Sequence, residues 1–340
     1  MKKILVTGGT GFIGSHTVVE LQNKGYEVVI ADNLSNSSEN VIDNIFKITS
    51  KKPAFGKVDV AEKDQFFKFL SQHSGIESII HFAASKAVGE SVQQPLKYYR
   101  NNINGMINVL EAMKEFNIPN LVFSSSCTVY GQPEKLPVTE QSPIQPALSP
   151  YGNTKQINEE IIHDFLSVNQ GLHCIALRYF NPVGAHPSSL IGELPLGVPA
   201  NLVPFITQTA AGIRECLSVF GNDYNTPDGT PIRDYIDIID LANAHIAAIN
   251  RMEENKQKSS LEFFNIGTGR GLSVLELIKT FEEATGVKLN YKIVGRRAGD
   301  IEKVWADTSY ANKELGWKAV VPLKETLLNA WKWQQKLADN

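Results

Sequence analysis

The run Ile4-Leu5-Val6-Thr7-Gly8-Gly9-Thr10-Gly11-Phe12-Ile13-Gly14 decides how the chain is to be read. Apolar residues in succession, rather than in alternation, mark a strand buried on both faces of a parallel sheet. Glycines follow at once, spaced Gly8-x-x-Gly11-x-x-Gly14, and a helical pattern then runs over residues 12–23. Such a turn lets backbone approach a pyrophosphate at a helix N-terminus. The spacing is a variant of G-x-G-x-x-G, and a tight strand–helix turn without a ligand would carry similar glycines.

Further short apolar runs lie at residues 28–31, 78–83, 121–124 and 174–180. Helical patterns separate them at 39–49, 64–73, 96–116 and 153–168. This alternation predicts an α/β fold, a doubly wound parallel sheet of Rossmann type with ligands outside the carboxyl ends of the strands. After Asn181 the chain turns rich in Pro and Gly, with shorter helical runs at 203–213, 241–252 and 274–285. A smaller mixed α/β C-terminal lobe is expected there. The division is a cofactor domain over residues 1–180 and a substrate lobe over 181–340, interleaved with the last strands of the sheet.

Composition narrows the classes. The chain has 340 residues, 42% hydrophobic and 20% charged, enough apolar material for a sizeable core and too much for a disordered chain. Lysine and arginine number 33 against 36 acidic residues, for a net charge of −3, so no basic excess points to nucleic acid or an anionic membrane. Cys127, Cys174 and Cys216 are widely separated, and neither they nor the histidines have metal-ligand spacing, so no metal is expected. Lys2 and Lys3 before a short apolar run mimic a signal peptide, but the glycines interrupt it. No apolar stretch approaches the ~20 residues that span a bilayer. A cytoplasmic setting is expected.

Residues at strand ends carry the chemistry. Asp32 ends the second strand eighteen residues after Gly14, where a carboxylate accepts from both adenosine ribose hydroxyls and repels a 2′-phosphate. No arginine stands in Asp32-Asn33 to welcome that phosphate, which favours NAD over NADP; a simple turn former is the competing account of Asp32. Asp59-Val60 is positioned for the adenine, and Phe82-Ala83-Ala84-Ser85-Lys86 for the middle of the cofactor, although plain strand-to-loop junctions look alike. Tyr151 and Lys155 share one helix face. An ammonium and a positive nicotinamide ring both favour phenolate and would lower a phenol pKa from ~10. Ser126, at the carboxyl end of the fifth strand, supplies a hydroxyl beside the reacting alcohol.

Glycine turn, Asp32, Ser126, Tyr151 and Lys155, in that order on alternating elements, resemble the extended short-chain dehydrogenase/reductase family over nearly the whole chain. Lys86-Ala87-Val88-Gly89-Glu90-Ser91, Arg178-Tyr179-Phe180-Asn181-Pro182-Val183-Gly184-Ala185, Phe220-Gly221-Asn222-Asp223-Tyr224, Arg233-Asp234-Tyr235 and Arg296-Arg297-x-Gly-Asp300 look like its branch that epimerises UDP-hexoses at C4. The resemblance implies NAD as cofactor, a UDP-sugar as substrate and a homodimer formed through the helices at 96–116 and 153–168. It implies cofactor contacts from Gly8, Gly11, Phe12, Ile13, Gly14, Asp32, Asn33, Leu34, Ser35, Asn36, Ser37, Asp59, Val60, Phe82, Ala83, Ala84, Ser85, Lys86, Asn101, Ser126, Tyr151, Lys155 and Phe180. Substrate contacts are implied for Lys86, Ser126, Tyr151, Asn181, Asn201, Leu202, Ser218, Val219, Phe220, Arg233, Arg297, Asp300 and Val304.

In the implied reaction Tyr151 takes the proton of the 4-hydroxyl with help from Ser126. Hydride leaves C4, the 4-keto sugar turns over, and hydride returns to the other face. Arg233 and Arg297 are bidentate donors for the diphosphate. Phe220 would lie on the uracil, and Asp300 would accept from a ribose hydroxyl. Val304 occupies a place where glucose- and galactose-restricted relatives often carry tyrosine, which leaves room for a 2-acetamido group; plain packing explains a valine equally well. A 4,6-dehydratase would need Asp-Glu after the serine, and Cys127-Thr128 stands there. A non-catalytic NAD-binding regulator is the alternative from another class, and such proteins usually lose the tyrosine or lysine retained here.

Overall fold

The computed structural model describes residues 1–297 and 300–338. Its first half alternates strand and helix: β1 (Lys3–Thr7), α1 (Phe12–Asn23), β2 (Glu27–Asp32), α2 (Asn40–Thr49), β3 (Ala54–Lys57), α3 (Lys63–Ser71) and β4 (Ile76–His81). Then come α4 (Val88–Gln93), α5 (Pro95–Glu115), β5 (Asn120–Ser126), a 3₁₀ turn (Cys127–Tyr130), α6 (Pro150–Val168) and β6 (His173–Tyr179). The second half comprises β7 (Asn181–Val183), α7 (Leu202–Ala210), β8 (Leu217–Phe220), β9 (Ile232–Arg233), β10 (Tyr235–Asp237) and α8 (Ile238–Glu253). It ends with β11 (Leu261–Ile266), β12 (Leu272–Ser273), α9 (Val274–Thr285), β13 (Tyr291–Val294), α10 (Ser309–Glu314) and α11 (Leu323–Ala338).

Seven parallel strands form one sheet in the order β11-β6-β5-β4-β1-β2-β3. Ile4, Leu5 and Val6 are fully buried, as their unbroken apolar run predicts. One apolar layer gathers Ile4, Val6, Val18, Ile30, Leu241 and Ile249. The other gathers Leu5, Val29, Phe66, Met106, Leu110 and Ile162. At about 1.5–3 kcal/mol per fully buried aliphatic or aromatic side chain, the two layers hold the helices to the sheet.

The strand order reverses at β1. From its end the chain winds outward through β2 and β3, then crosses back to β4 on the other side. That reversal opens a crevice beyond the carboxyl ends of β1 and β4, the place where doubly wound sheets bind ligands. Strand β11 comes from the second half of the chain and pairs with β6 from Leu261–Cys174 to Ile266–Tyr179. The remaining strands make three two-stranded ribbons, β10–β7, β12–β9 and β13–β8. They pack with α7, α9 and α11 around Val203, Ile206, Leu217, Leu277, Phe281 and Leu327.

Several boundaries move by a turn for local reasons. Helix α6 starts at Pro150 because the Ser149 side chain caps it, accepting from the Gly152 amide at 3.1 Å. Helix α8 starts at Ile238, where the Asp237 carboxylate accepts from the Ile239 amide at 2.7 Å. The run expected at 203–213 ends at Ala210 as α7.

Candidate active site

Gly8 leaves β1 with φ +72°, in the left-handed region, and its amide donates to Ala31 O at 2.8 Å. A Cβ there would lie 2.7 Å from Ala83 N, and one at Gly14 would collide with the Gly8 carbonyl oxygen. The turn is therefore closed to any larger residue. Helix α1 begins at Phe12 with no capping side chain and no acidic residue in its first turn. Its free amides and dipole suit an anion. Phe12 and Ile13, in that first turn, pack against the sheet core.

Asp32 is buried at the end of β2, and its carboxylate accepts from the amides of Thr10 (3.1 Å) and Leu34 (2.9 Å). It thus shapes its own turn as well as ending the strand. Ser37 donates to it at 3.4 Å and shares a 2.7 Å bond with Thr10, while Ser35 N donates to the Asn33 side chain. Asn36 is exposed. Asn33 reaches Asp59 at 3.0 Å, and Val60 lies buried beside it. Phe82, Ala83 and Ala84 leave β4 part-buried, with Phe82 N on Thr7 O at 3.0 Å. Asn102 braces Ser85 by two bonds and takes one from Asn101. The glycine cradle, free amides and carboxylate fit a dinucleotide.

Three turns of α6 meet three consecutive serines of β5. Lys155 Nζ donates to Ser124 O at 2.5 Å and Ser125 donates to Glu159 at 2.6 Å, while the Ser126 hydroxyl accepts from Thr128 N at 3.2 Å and lies near enough to Tyr151 to favour its ionisation. The expected lowering of the phenol pKa by the lysine is corrected by this geometry. Burial pushes Tyr151 far above its ordinary value, Tyr179 adds to the effect, and Ser126 opposes it. The ammonium points to the strand carbonyl, 5.8 Å from the Tyr151 ring centre. Burial also lowers the Lys155 pKa to about 8, against the raising influence of Glu159. His81, a core histidine bonded to Thr7 at 2.8 Å, is held near 3, chiefly by burial and then by the Lys155 charge. The Cys127 thiol is pushed up to about 12 by burial, which leaves it inert.

In the second half, Arg233 donates to Asp300 at 2.5 Å, and Arg297 lies 3.5 Å from the same oxygen. The Arg297 guanidinium is 5.8 Å from the ring centre of Phe220, itself 40% exposed at the end of β8. Both arginines expected to meet the diphosphate stand on one carboxylate. Ser218 is half-buried and Val219 points into the lobe core, so Phe220 offers the open face of that strand. Asn181 donates its amide to Asp234 O, and Asn201 precedes Leu202 at the start of α7. Phe180 and Val304 are buried together with Val129, Tyr130 and Val138. Ala298 and Gly299 of the arginine motif lie outside the described residues.

Three residues without a sequence assignment join the site. Glu193 accepts from Asn201 at 2.6 Å and pairs with Lys86 at 3.3 Å, and Trp333 donates to its carbonyl. Glu159 and Arg178 form a buried pair at 2.6 Å. For Glu159 a signal existed, since it follows Tyr151 and Lys155 at helical spacing; for Glu193 the chain offered none.

Fold and site define an extended short-chain dehydrogenase/reductase. Residues 5–329 match the family profile described as GDP-mannose 4,6 dehydratase. The UDP-glucose 4-epimerase of Dictyostelium discoideum is 50% identical over 332 residues, covering 98% of this chain and 95% of that protein. The bifunctional protein GAL10 of Pachysolen tannophilus is also 50% identical, and the chain spans 49% of that longer protein. A crystal structure of UDP-glucose-4-epimerase from Stenotrophomonas maltophila, with bound NAD and formylated UDP-arabinopyranose, superposes with a TM-score of 0.96 at 46% identity. It covers 100% of this chain and 99% of that one. The chain belongs to the UDP-glucose 4-epimerase family.

Proposed function

We propose that the protein is an NAD-dependent epimerase that interconverts UDP-glucose and UDP-galactose at C4 of the hexose. The observation that carries the reading is the convergence of Ser126, Tyr151 and Lys155 beside the glycine turn, with Arg233, Arg297 and Asp300 brought up from the other half of the chain. Cys127, next to Ser126, lies near enough to Arg233 to feel its charge, which supports one site for the two groups. Residues 1–180 hold the cofactor and most of 181–340 hold the UDP-sugar. Supply and recovery of UDP-galactose is the corresponding metabolic role.

Bound at the turn, NAD supplies a hydride acceptor and donor at C4. Asp32 holds the adenosine ribose, and Lys155 holds the nicotinamide ribose. Tyr151 removes the proton of the 4-hydroxyl and returns it after the 4-keto sugar has turned over, with Ser126 bonding the same oxygen. Because burial opposes ionisation of this phenol, the positive charge of Lys155 and of the cofactor must offset it. Arg233 and Arg297 pass from Asp300 to the diphosphate, freeing Asp300 for a ribose hydroxyl. Phe220 stacks on the uracil.

Purified protein incubated with UDP-glucose or UDP-galactose, without added NAD, should form the C4 epimer. Bound NAD with no turnover would instead support the regulator reading. The dehydratase reading is disfavoured because Cys127-Thr128 supplies no acid/base pair for elimination.

We also propose that UDP-GlcNAc and UDP-GalNAc are substrates, on the ground that Val304, beside Phe180, is small. A tyrosine does not fit that buried position without displacing its neighbours or turning toward the sugar. Val304→Tyr should lower acetamido-sugar turnover at least tenfold and leave UDP-glucose turnover within about threefold. Equal acetamido-sugar activity in both proteins would remove Val304 as the gate.

The protein is proposed to be a homodimer through α5 and α6, and cytoplasmic. Leu96 and Ile107 on α5 and Val168 on α6 are exposed apolar residues available for that pairing. The three free cysteines accord with a reducing compartment. Among the described residues no helix is long and apolar enough to cross a membrane.

A further inference from the structure

The Arg178 guanidinium holds both arms of the proposed catalytic set. Its Nε and Nη2 make a fork onto the Glu159 carboxylate, at 2.9 and 2.6 Å. Its Nη1 donates to the Tyr130 hydroxyl at 3.1 Å. Glu159 lies on α6, one turn beyond Lys155 and two beyond Tyr151. Tyr130 closes the 3₁₀ turn that starts directly after Ser126. Glu159 also takes the Ser125 hydroxyl, and Tyr130 donates onward to Asn265 at 2.7 Å on β11. Arg178, Glu159, Ser125 and Tyr130 are each less than a tenth exposed.

Hydrophobic side chains of similar volume stabilise a core as well as a buried ion pair does, and often better. What an apolar pair lacks is direction. A two-pronged arginine–carboxylate contact fixes the distance and rotation of the elements it joins. Here those elements are the helix carrying Tyr151 and Lys155 and the turn that follows Ser126.

We propose that Glu159 and Arg178 are positioning residues for the epimerase reaction, setting α6 and the turn after Ser126 so that Tyr151, Lys155 and Ser126 meet one substrate oxygen and one cofactor. The proposal rests on the catalytic reading above. The pair is buried, bonded to Ser125 and Tyr130, and acts through the groups it aligns. Its carboxylate also bears on Lys155. That ammonium is faced by Tyr151 and Glu159 from α6, by His81 from β4, and by Tyr179 from β6 through Ser124. His81 stays neutral, so Glu159 is the group whose charge supports the ammonium.

The test is the double variant Glu159→Leu/Arg178→Met, which fills the space without leaving an unpaired charge, together with Ser125→Ala. Turnover is measured per bound NAD. The double variant should retain its midpoint of thermal unfolding, keep KM within about threefold, and lose kcat at least tenfold. The alkaline limb of its kcat profile should move down, because Lys155 loses the carboxylate that raises its pKa. Ser125→Ala, which leaves the Arg178 fork in place, should lose kcat by about threefold. A double variant with kcat within twofold of wild type and an unmoved alkaline limb overturns the proposal. If the double variant does not fold, Ser125→Ala with wild-type kcat does so. If the wild type itself shows no turnover, the catalytic reading has failed. A crystal structure of the double variant then decides positioning alone: Lys155 should be displaced from the Ser124 carbonyl, and an unchanged Lys155–Ser124 bond overturns the proposal.

Discussion

Tyr151 shows how little of a catalytic residue is visible from its identity. Its phenol is half-buried beside Ser126, and burial raises its pKa far above the usual value. A protein that only packed this ring would have no use for a buried lysine beside it. Tyr151→Phe keeps the ring and removes the proton carrier. It should lower kcat by about 10²–10⁴-fold while UDP-sugar binding stays near the wild-type value. Wild-type turnover in the variant would remove Tyr151 as the base. At the substrate end, Asp300 pairs with both arginines, which limits their rotamer freedom. Arg297 is three residues from Asp300, but Arg233 comes from far along the chain, and that contact could not be read from spacing.

At the scale of elements, the first turn and α8 respond to single changes. Gly14→Ala places a methyl against the Gly8 carbonyl, where backbone stands on both sides. It should cost about 1–3 kcal/mol by chemical denaturation and release NAD on purification. Full retention of NAD would show that the turn has slack. Asp237, which caps α8 and accepts from Thr326, has its pKa raised from 3.8 to about 6, first by burial. The folded state keeps a proton that the unfolded chain releases. The stability contribution is therefore full below pH 3.8 and lost as pH rises through about 6. Asp237→Asn lacks that loss, so its stability relative to wild type should improve by about 2 kcal/mol between pH 4.5 and 7. A difference constant over that range in urea titrations would contradict the assignment.

For the whole molecule, one sheet joins the two halves, since β11 pairs with β6, the strand that carries Arg178 and leads into Asn181. The substrate lobe is thereby anchored to the cofactor sheet. The proposed dimer lies along α5 and α6, the latter carrying Tyr151 and Lys155, so assembly would steady the helix that the reaction uses. Light scattering at micromolar concentration should give twice the chain mass of 37.6 kDa, and a monomer mass would exclude the pairing.

What the sequence by itself determined is what local patterns encode. Unbroken apolar runs specify strands buried on both faces, glycines specify the turn after β1, and Ser149-Pro150 starts the helix that presents Tyr151 and Lys155. Residue order along alternating elements then brought the nucleotide end into view, with Asp32 and Asp59 at consecutive strand ends. The tertiary structure alone decided the contacts between distant segments. Asp300 holding Arg233, Glu193 joining Lys86 to Asn201, and Arg178 holding both Glu159 and Tyr130 leave no periodic signal. The direction of the Tyr151 shift belongs with them. An ammonium four residues away suggests a lowered pKa, yet desolvation depends on everything packed around the phenol, and only the folded chain sets that.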